Sequence, residues 1–307
     1  MVLKGVHPIV DDVIEDWDAL EKIIYHIFYT NMCVDPLNHP IILVEPPLSS
    51  RTQREKICEI LFETFGTPAL LLVDAAVADL CCNGEMTGLD IRLDTSAYIV
   101  PVLDSIPVSH AIKKLPLGGV VKYLMELLRA AGHSFTTSAE IEIVRDIKEK
   151  LCYVSLEPEK ETYEEKTYTL PDGETLALGK ELFMTPELYF KPELIGSESK
   201  PLDVEAYDTL MKLDEDIREL IAGKIILSGS EIFPGMKDRL KRKIEKLASF
   251  PVEIRQQESQ FSSWVGASVI GVLKHVKYPS KYWITKKEYY ENPAIIHAKV
   301  GISLTPI

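Results

Sequence analysis

Two short, wholly apolar runs constrain this chain most: Ile41-Ile42-Leu43-Val44 and Ala69-Leu70-Leu71-Leu72-Val73. Neither alternates with polar residues, so each reads as a strand covered on both faces. Between them Ser49-Ser50-Arg51 opens a helical stretch to about Phe65, and Pro68 ends the connection. Before them Trp17 to Tyr29 reads as an amphipathic helix, with Leu20, Ile23, Ile24, Ile27 and Phe28 on one side. Helix, strand, helix, strand implies parallel pairing through crossovers, and so an α/β fold.

Further along, Ile99–Leu103 and Val108–Ile112 read as the strands of a hairpin. Leu117-Gly118-Gly119 begins a new region, and a helix follows over Val120–Ala131. Thr137 and Glu140 have the spacing of a capping box, so the next helix starts there and runs to about Val154. Residues 157–168 read as an exposed loop, and Asp172-Gly173 between apolar flanks signals a hairpin. Ile225–Leu227 reads as a buried strand running into Ser228-Gly229-Ser230, with a helix after Pro234-Gly235. Ser262 and Ser263 are N-cap candidates for a helix over Trp264–Val276.

A length of 307 residues suits two compact lobes. The net charge of −13 disfavours nucleic acid and anionic membranes as partners. The basic run Lys237, Arg239, Lys241, Arg242, Lys243 and Lys246 reads as a solvated helix face. The five cysteines, Cys33, Cys58, Cys81, Cys82 and Cys152, have no metal-ligand spacing, and their odd number argues against a disulfide framework. No apolar run approaches the roughly 20 residues that cross a bilayer. A cytoplasmic, cytoskeletal setting is expected, with the nucleus as the alternative. The seven histidines do not cluster with carboxylates or cysteines, so no hydrolytic triad or zinc centre emerges.

Four stretches resemble the actin family. They are Trp17–Ile23 with Phe28-Tyr29; Arg54-Glu55-Lys56 with Phe62–Ala69; Tyr123-Leu124-Met125 with Gly132–Thr137 and Glu142–Val154; and a set comprising Leu227-Ser228-Gly229, Pro234-Gly235, Trp264, Trp283-Ile284 and Glu288-Tyr289. The resemblance implies the two-lobed α/β fold shared by actins, sugar kinases and heat-shock ATPases. It also implies an ATP–Mg site in a cleft and assembly into filaments or larger complexes. On that scheme residues 1–74 are what remains of the first lobe. Residues 75–117 and 197–260 form the second lobe, 118–196 its inserted subdomain, and 261–307 helices returning to the first lobe.

Set against the family pattern, the nucleotide site is eroded. The second phosphate hairpin falls on Gly88–Tyr98, which has no glycine after Gly88 to supply positive φ or close approach. Asp94 is the candidate for its metal-facing carboxylate. The family's water-positioning glutamine and histidine fall at Ala75 and Tyr98. Alanine cannot orient water, and tyrosine differs in reach and acidity. Hydrolysis of the family type is therefore expected to be absent or very slow. A residual adenosine pocket is expected at Lys148, Glu149, Gly229, Ser230 and Phe233, with Gln260 where the family has a lysine beside the adenine.

The opening strands of the family's first lobe, and the small subdomain after them, have no counterpart in the sequence. Ile41, Ile42, Leu43 and Val44 are then expected at an exposed sheet edge, leaving two clear parallel strands in that lobe. Three remedies stay open: Met1–Val10 folds back as a strand, another chain donates a strand or helix, or the sequence is part of a longer protein. A partner groove is expected at Gly84, Val265, Val269, Ile270 and Leu273. The leading expectation is a non-catalytic scaffold or filament-end subunit that meets actin-like subunits or actin-binding proteins. The alternative is an ATP-binding, filament-forming member whose N-terminal part is missing or supplied in trans.

Overall fold

A computed structural model of the chain describes residues 7–10, 12–116, 119–273 and 276–299. The expected break at Leu117-Gly118 and the first six residues of the fold-back segment lie outside them. The chain forms two compact units.

In chain order the elements begin with β1 (Ile9–Val10), β2 (Val13–Ile14), α1 (Trp17–His26), β3 (Ile41–Glu45), α2 (Arg51–Glu59), β4 (Ala69–Asp74) and α3 (Ala75–Cys82). Then come β5 (Gly88–Leu93), β6 (Ala97–Leu103), β7 (Ile106–Pro107), β8 (Lys113–Leu115), α4 (Val120–Ala130) and α5 (Ser138–Leu151). The middle of the chain holds β9 (Lys166–Thr169), β10 (Thr175–Leu178), α6 (Lys180–Met184), α7 (Leu202–Met211), α8 (Glu215–Ala222), β11 (Ile225–Ser228) and α9 (Met236–Leu247). It closes with β12 (Ile254–Gln256), α10 (Ser262–Val272), β13 (Ile284–Thr285), α11 (Lys286–Glu291) and α12 (Ile295–Ala298).

The first unit comprises Met1–Asp90, Val100–Ile112 and Gln257–Ile307. Its sheet has the order β13-β4-β3, with β3 and β4 parallel and β13 antiparallel. The two parallel strands are those expected, and the short Ile284–Thr285 pair, antiparallel, adds a third beyond that expectation. The register sets Ile41 opposite Leu70 and Leu43 opposite Leu72. All four pack with Ile57, Phe62, Phe65 and Tyr289, beneath Trp17, Leu20, Ile24 and Phe28 of α1 and its continuation. By alternation Ile42 points the other way, to where Gly271 of α10 passes. β4 is buried almost throughout, whereas Ile41–Val44 are half-buried, so only β4 matches the two-face expectation.

Helix ends follow local chemistry. The Asp16 carboxylate accepts from the Ala19 amide, and Ser50 Oγ from the Gln53 amide, each satisfying a donor left over in a first turn. Both α1 and α2 run on through one wider π-type turn, Ile27–Asn31 and Ile60–Thr64, close to the expected ends. Of the expected fold-back segment, the described residues Ile9–Val10 pair antiparallel with Val13–Ile14. Ser262 and Ser263 are not caps. They start α10 buried, and both hydroxyls donate to Asp79 Oδ1 on α3, at 2.8 and 2.9 Å. The helix ends at Val272, short of the expected Val276.

The second unit comprises Ile91–Ile99 and Lys113–Gln256. Within it β11 and β12 are parallel, and β8 pairs antiparallel with the Ala97–Ile99 part of β6; the sheet order is β12-β11-β5-β6. The expected strand at Val108–Ile112 is instead a helical turn at Ser109–Ala111; the strands on either side of it are β7 and β8. The Thr137–Glu140 capping box is formed, and α5 ends at Leu151. The Asp172-Gly173 turn joins β9 to β10, and the first residues of β9 shorten the expected loop at 157–168. α9 carries the basic run; Lys237, Lys241, Arg242, Lys243 and Lys246 are exposed or half-exposed, but Arg239 is buried and bonded to Glu187 and the Ser155 carbonyl, which corrects the solvated-face reading at that residue. No helix among the described residues is long and apolar enough to cross a membrane.

Candidate functional site

Asp94, Tyr98, Lys148, Glu149, Gly229, Ser230 and Phe233 lie within the second unit, whereas Ala75 and Gln260 belong to the first. β5 ends at Leu93, and the turn to β6 places Asp94 next to the loop that leaves β11. Gly229 takes φ +105 there, and a Cβ on it would lie 2.1 Å from the Leu93 carbonyl oxygen. The chain needs glycine at this place for both reasons. The contact made by the close approach is with the strand end itself. The Glu231 amide then donates to Leu93 O at 2.8 Å. Ser230 donates from both its amide and its hydroxyl to Asp94 Oδ1, each at 2.8 Å. The hairpin turn and the glycine loop are thus stitched directly to each other.

The charges in this neighbourhood are matched in pairs. Arg92 Nε lies 2.7 Å from Asp94 Oδ2, so both carboxylate oxygens of Asp94 are engaged. Lys148 of α5 is buried and forms a hydrogen-bonded ion pair with Glu231 Oε1. Burial raises the Glu231 carboxyl above the usual carboxylate range against the pull of Lys148, with Asp94 and Glu149 adding to the rise. Glu231 Oε2 has no hydrogen-bond partner among the described residues, and neither has the hydroxyl of Tyr189. Tyr189 is fully buried, and burial with the nearby charges of Glu231 and Asp94 pushes its phenol well up. Phe233 is a core residue tilted against the Tyr189 ring, centroids 6.2 Å apart. Glu149 faces out from α5. Of the expected pocket residues, then, Gly229 and Ser230 share the stitched loop and Lys148 reaches it through Glu231. Glu149 and Phe233 do not join them as a lining.

This donor set does not fit a magnesium–phosphate group. Asp94 is committed to Arg92 and Ser230, and Lys148 to Glu231. Among the described residues no three His, Cys, Asp or Glu side chains gather to hold a metal ion. Tyr98 is buried in β6 beneath the ammonium of Lys114, 5.2 Å from its ring centroid.

The family model described as Actin matches residues 2–301. The chain belongs to the actin family. Its α/β architecture agrees with the actin-like fold. Sequence reading of this actin-family protein missed Arg92, Glu231 and Tyr189. Arg92 carried a signal: its opposite charge, Asp94, lies two positions on, just past the strand end. Glu231 carried none, because its partner lies 83 positions away.

The expected partner surface lies in the first unit. Val265 and Val269 are exposed on α10, together with Trp264 at 71% and Val272 at 75%. Gly84 is exposed with φ +75, Leu273 is half-buried, and Ile270 is fully buried in the core. β3 stands at the end of its sheet among the described residues.

Proposed function

We propose that this actin-family protein is a non-catalytic member, acting as a scaffold or filament-end subunit of an actin-based complex, with ATP binding weak or lost. The carrying observation is the pair of ion pairs, Arg92–Asp94 and Lys148–Glu231, which use up the charges that a phosphate and its metal would need. Phosphates and metal provide much of the affinity of such a site, and here backbone and side-chain donors turn toward each other. The exposed apolar face of α10, with Trp264, Val265, Val269 and Val272, is the surface proposed to meet actin-like subunits or actin-binding proteins. Calorimetric titration with Mg-ATP tests the reading. No saturable heat at micromolar concentration and no phosphate release are expected. Micromolar binding accompanied by hydrolysis would overturn it.

A further inference from the structure

Lys148 and Glu231 sit on different elements, 83 positions apart, and their side chains are 6% and 11% exposed. A buried ammonium without a counter-charge is costly, so something anionic must meet Lys148. Glu231 is delivered to it by a loop fixed at three successive residues: Gly229 against Leu93, Ser230 on Asp94, and the Glu231 amide on Leu93 O. The carboxylate is nevertheless satisfied on one side only. Glu231 Oε2 and the Tyr189 hydroxyl are both buried without hydrogen-bond partners among the described residues. A pair built solely for packing would be expected to saturate those atoms, because orphaned buried polar groups each cost stability.

We infer that Glu231 is a tethered ligand: its carboxylate occupies, from within the chain, an oxyanion site whose cationic element is Lys148. The inference rests on the non-catalytic reading above and deepens it. The site is closed by the protein's own anion, and the ligand class it would take in its place is a small oxyanion, a carboxylate or a phosphate. Arg92 plays the complementary part, as a tethered cation on Asp94.

The test is chemical rescue. Glu231→Ala removes the anion and leaves a cavity beside Lys148. Its Tm is expected to fall on the order of 10 °C. Formate or inorganic phosphate at tens of millimolar, compared with chloride at matched ionic strength, is expected to restore at least half of that loss. Neither should shift the wild type comparably. In Lys148→Met/Glu231→Ala, with no ammonium to satisfy, the oxyanion effect should vanish. Glu231→Ser is read the same way if the alanine variant does not fold. Oxyanion-blind Glu231 variants, or equal stabilisation of the double variant, overturn the inference. Mg-ATP is titrated into the wild type in parallel. Micromolar binding with phosphate release there sinks both this inference and the non-catalytic reading. A wild type that ignores Mg-ATP beside oxyanion-blind variants sinks the tethered-ligand inference alone.

Discussion

Gly266 of α10 stands so close to Ala78 of α3 that a Cβ on it would lie 1.8 Å from the Ala78 carbonyl oxygen. The obstacle is backbone within a helix, which cannot swing aside. Gly266→Ala is therefore expected to destabilise by at least the usual overpacking cost of about 1–3 kcal/mol, despite the gain in helix propensity. Gly271, one turn and a little further on, meets only the Cδ1 tip of Ile42, at 2.7 Å. That tip can rotate, so Gly271→Ala should stay within about 1 kcal/mol of the parent. Urea midpoints of the two variants give the comparison, and equal losses would contradict the geometry.

Arg239 and Glu187 form a bidentate pair, with side chains 5% and 1% exposed, and Arg239 also caps the Ser155 carbonyl. Its guanidinium lies over the Phe190 ring, 4.1 Å from the centroid. Arg239→Ala strands a buried carboxylate and is expected to cost about 3–5 kcal/mol. Arg239→Met/Glu187→Leu should recover much of that loss, since an apolar pair of similar volume is often neutral. Denaturation of the single and double variants decides it; a double variant as weak as the single would count against the account.

Glu288 gives a pH dependence with a definite sign. Hydrogen bonds from Lys299 and from the Thr285 amide hold its carboxyl down at about 2, against an ordinary 4.5. A depressed folded-state value stabilises above the unfolded one, so this contribution is complete above about 4.5 and fades as pH falls toward 2. Glu288→Gln should reduce stability at pH 6 and flatten its decline between pH 4.5 and 2 relative to the wild type. Guanidinium titrations across that range measure it, and parallel curves for the two proteins would refute the assignment.

Thiol reactivity should separate the cysteines. Burial pushes the Cys58 and Cys152 thiols up to about 12, and raises Cys81 as well. Cys33 is exposed. In the native protein at pH 8 an aromatic disulfide reagent should react promptly with Cys33 and more slowly with half-buried Cys82. All five should react in denaturant. Fast native labelling of Cys58 or Cys152 would show that the core opens more readily than its packing implies.

Local grammar was legible in the sequence, and distant partnership was not. The Thr137–Glu140 capping box, the Asp172-Gly173 turn and the apolar runs at 41–44 and 69–73 depend on neighbours a few residues away, and each marks its element. Ser262 and Ser263 carry the composition of caps, but their acceptor, Asp79, lies 183 and 184 positions earlier. Arg239 looks like one more cation in a basic run until Glu187 is brought to it across 52 positions. The same holds for the candidate site. The missing glycines after Gly88 could be read directly, whereas the ion pair on Lys148 depends on a loop that only folding delivers.

Gly229 carries a consequence for tracing how such proteins diverge. A glycine at this place invites being scored as a surviving trace of nucleotide recognition. Yet any other residue would collide with the Leu93 carbonyl and would have to hold φ at +105. The position is therefore locked by the fold and would remain glycine long after a ligand had ceased to matter. Its neighbours Ser230 and Glu231, which are under no such steric lock, are the better witnesses of whether a descendant chain still binds anything there.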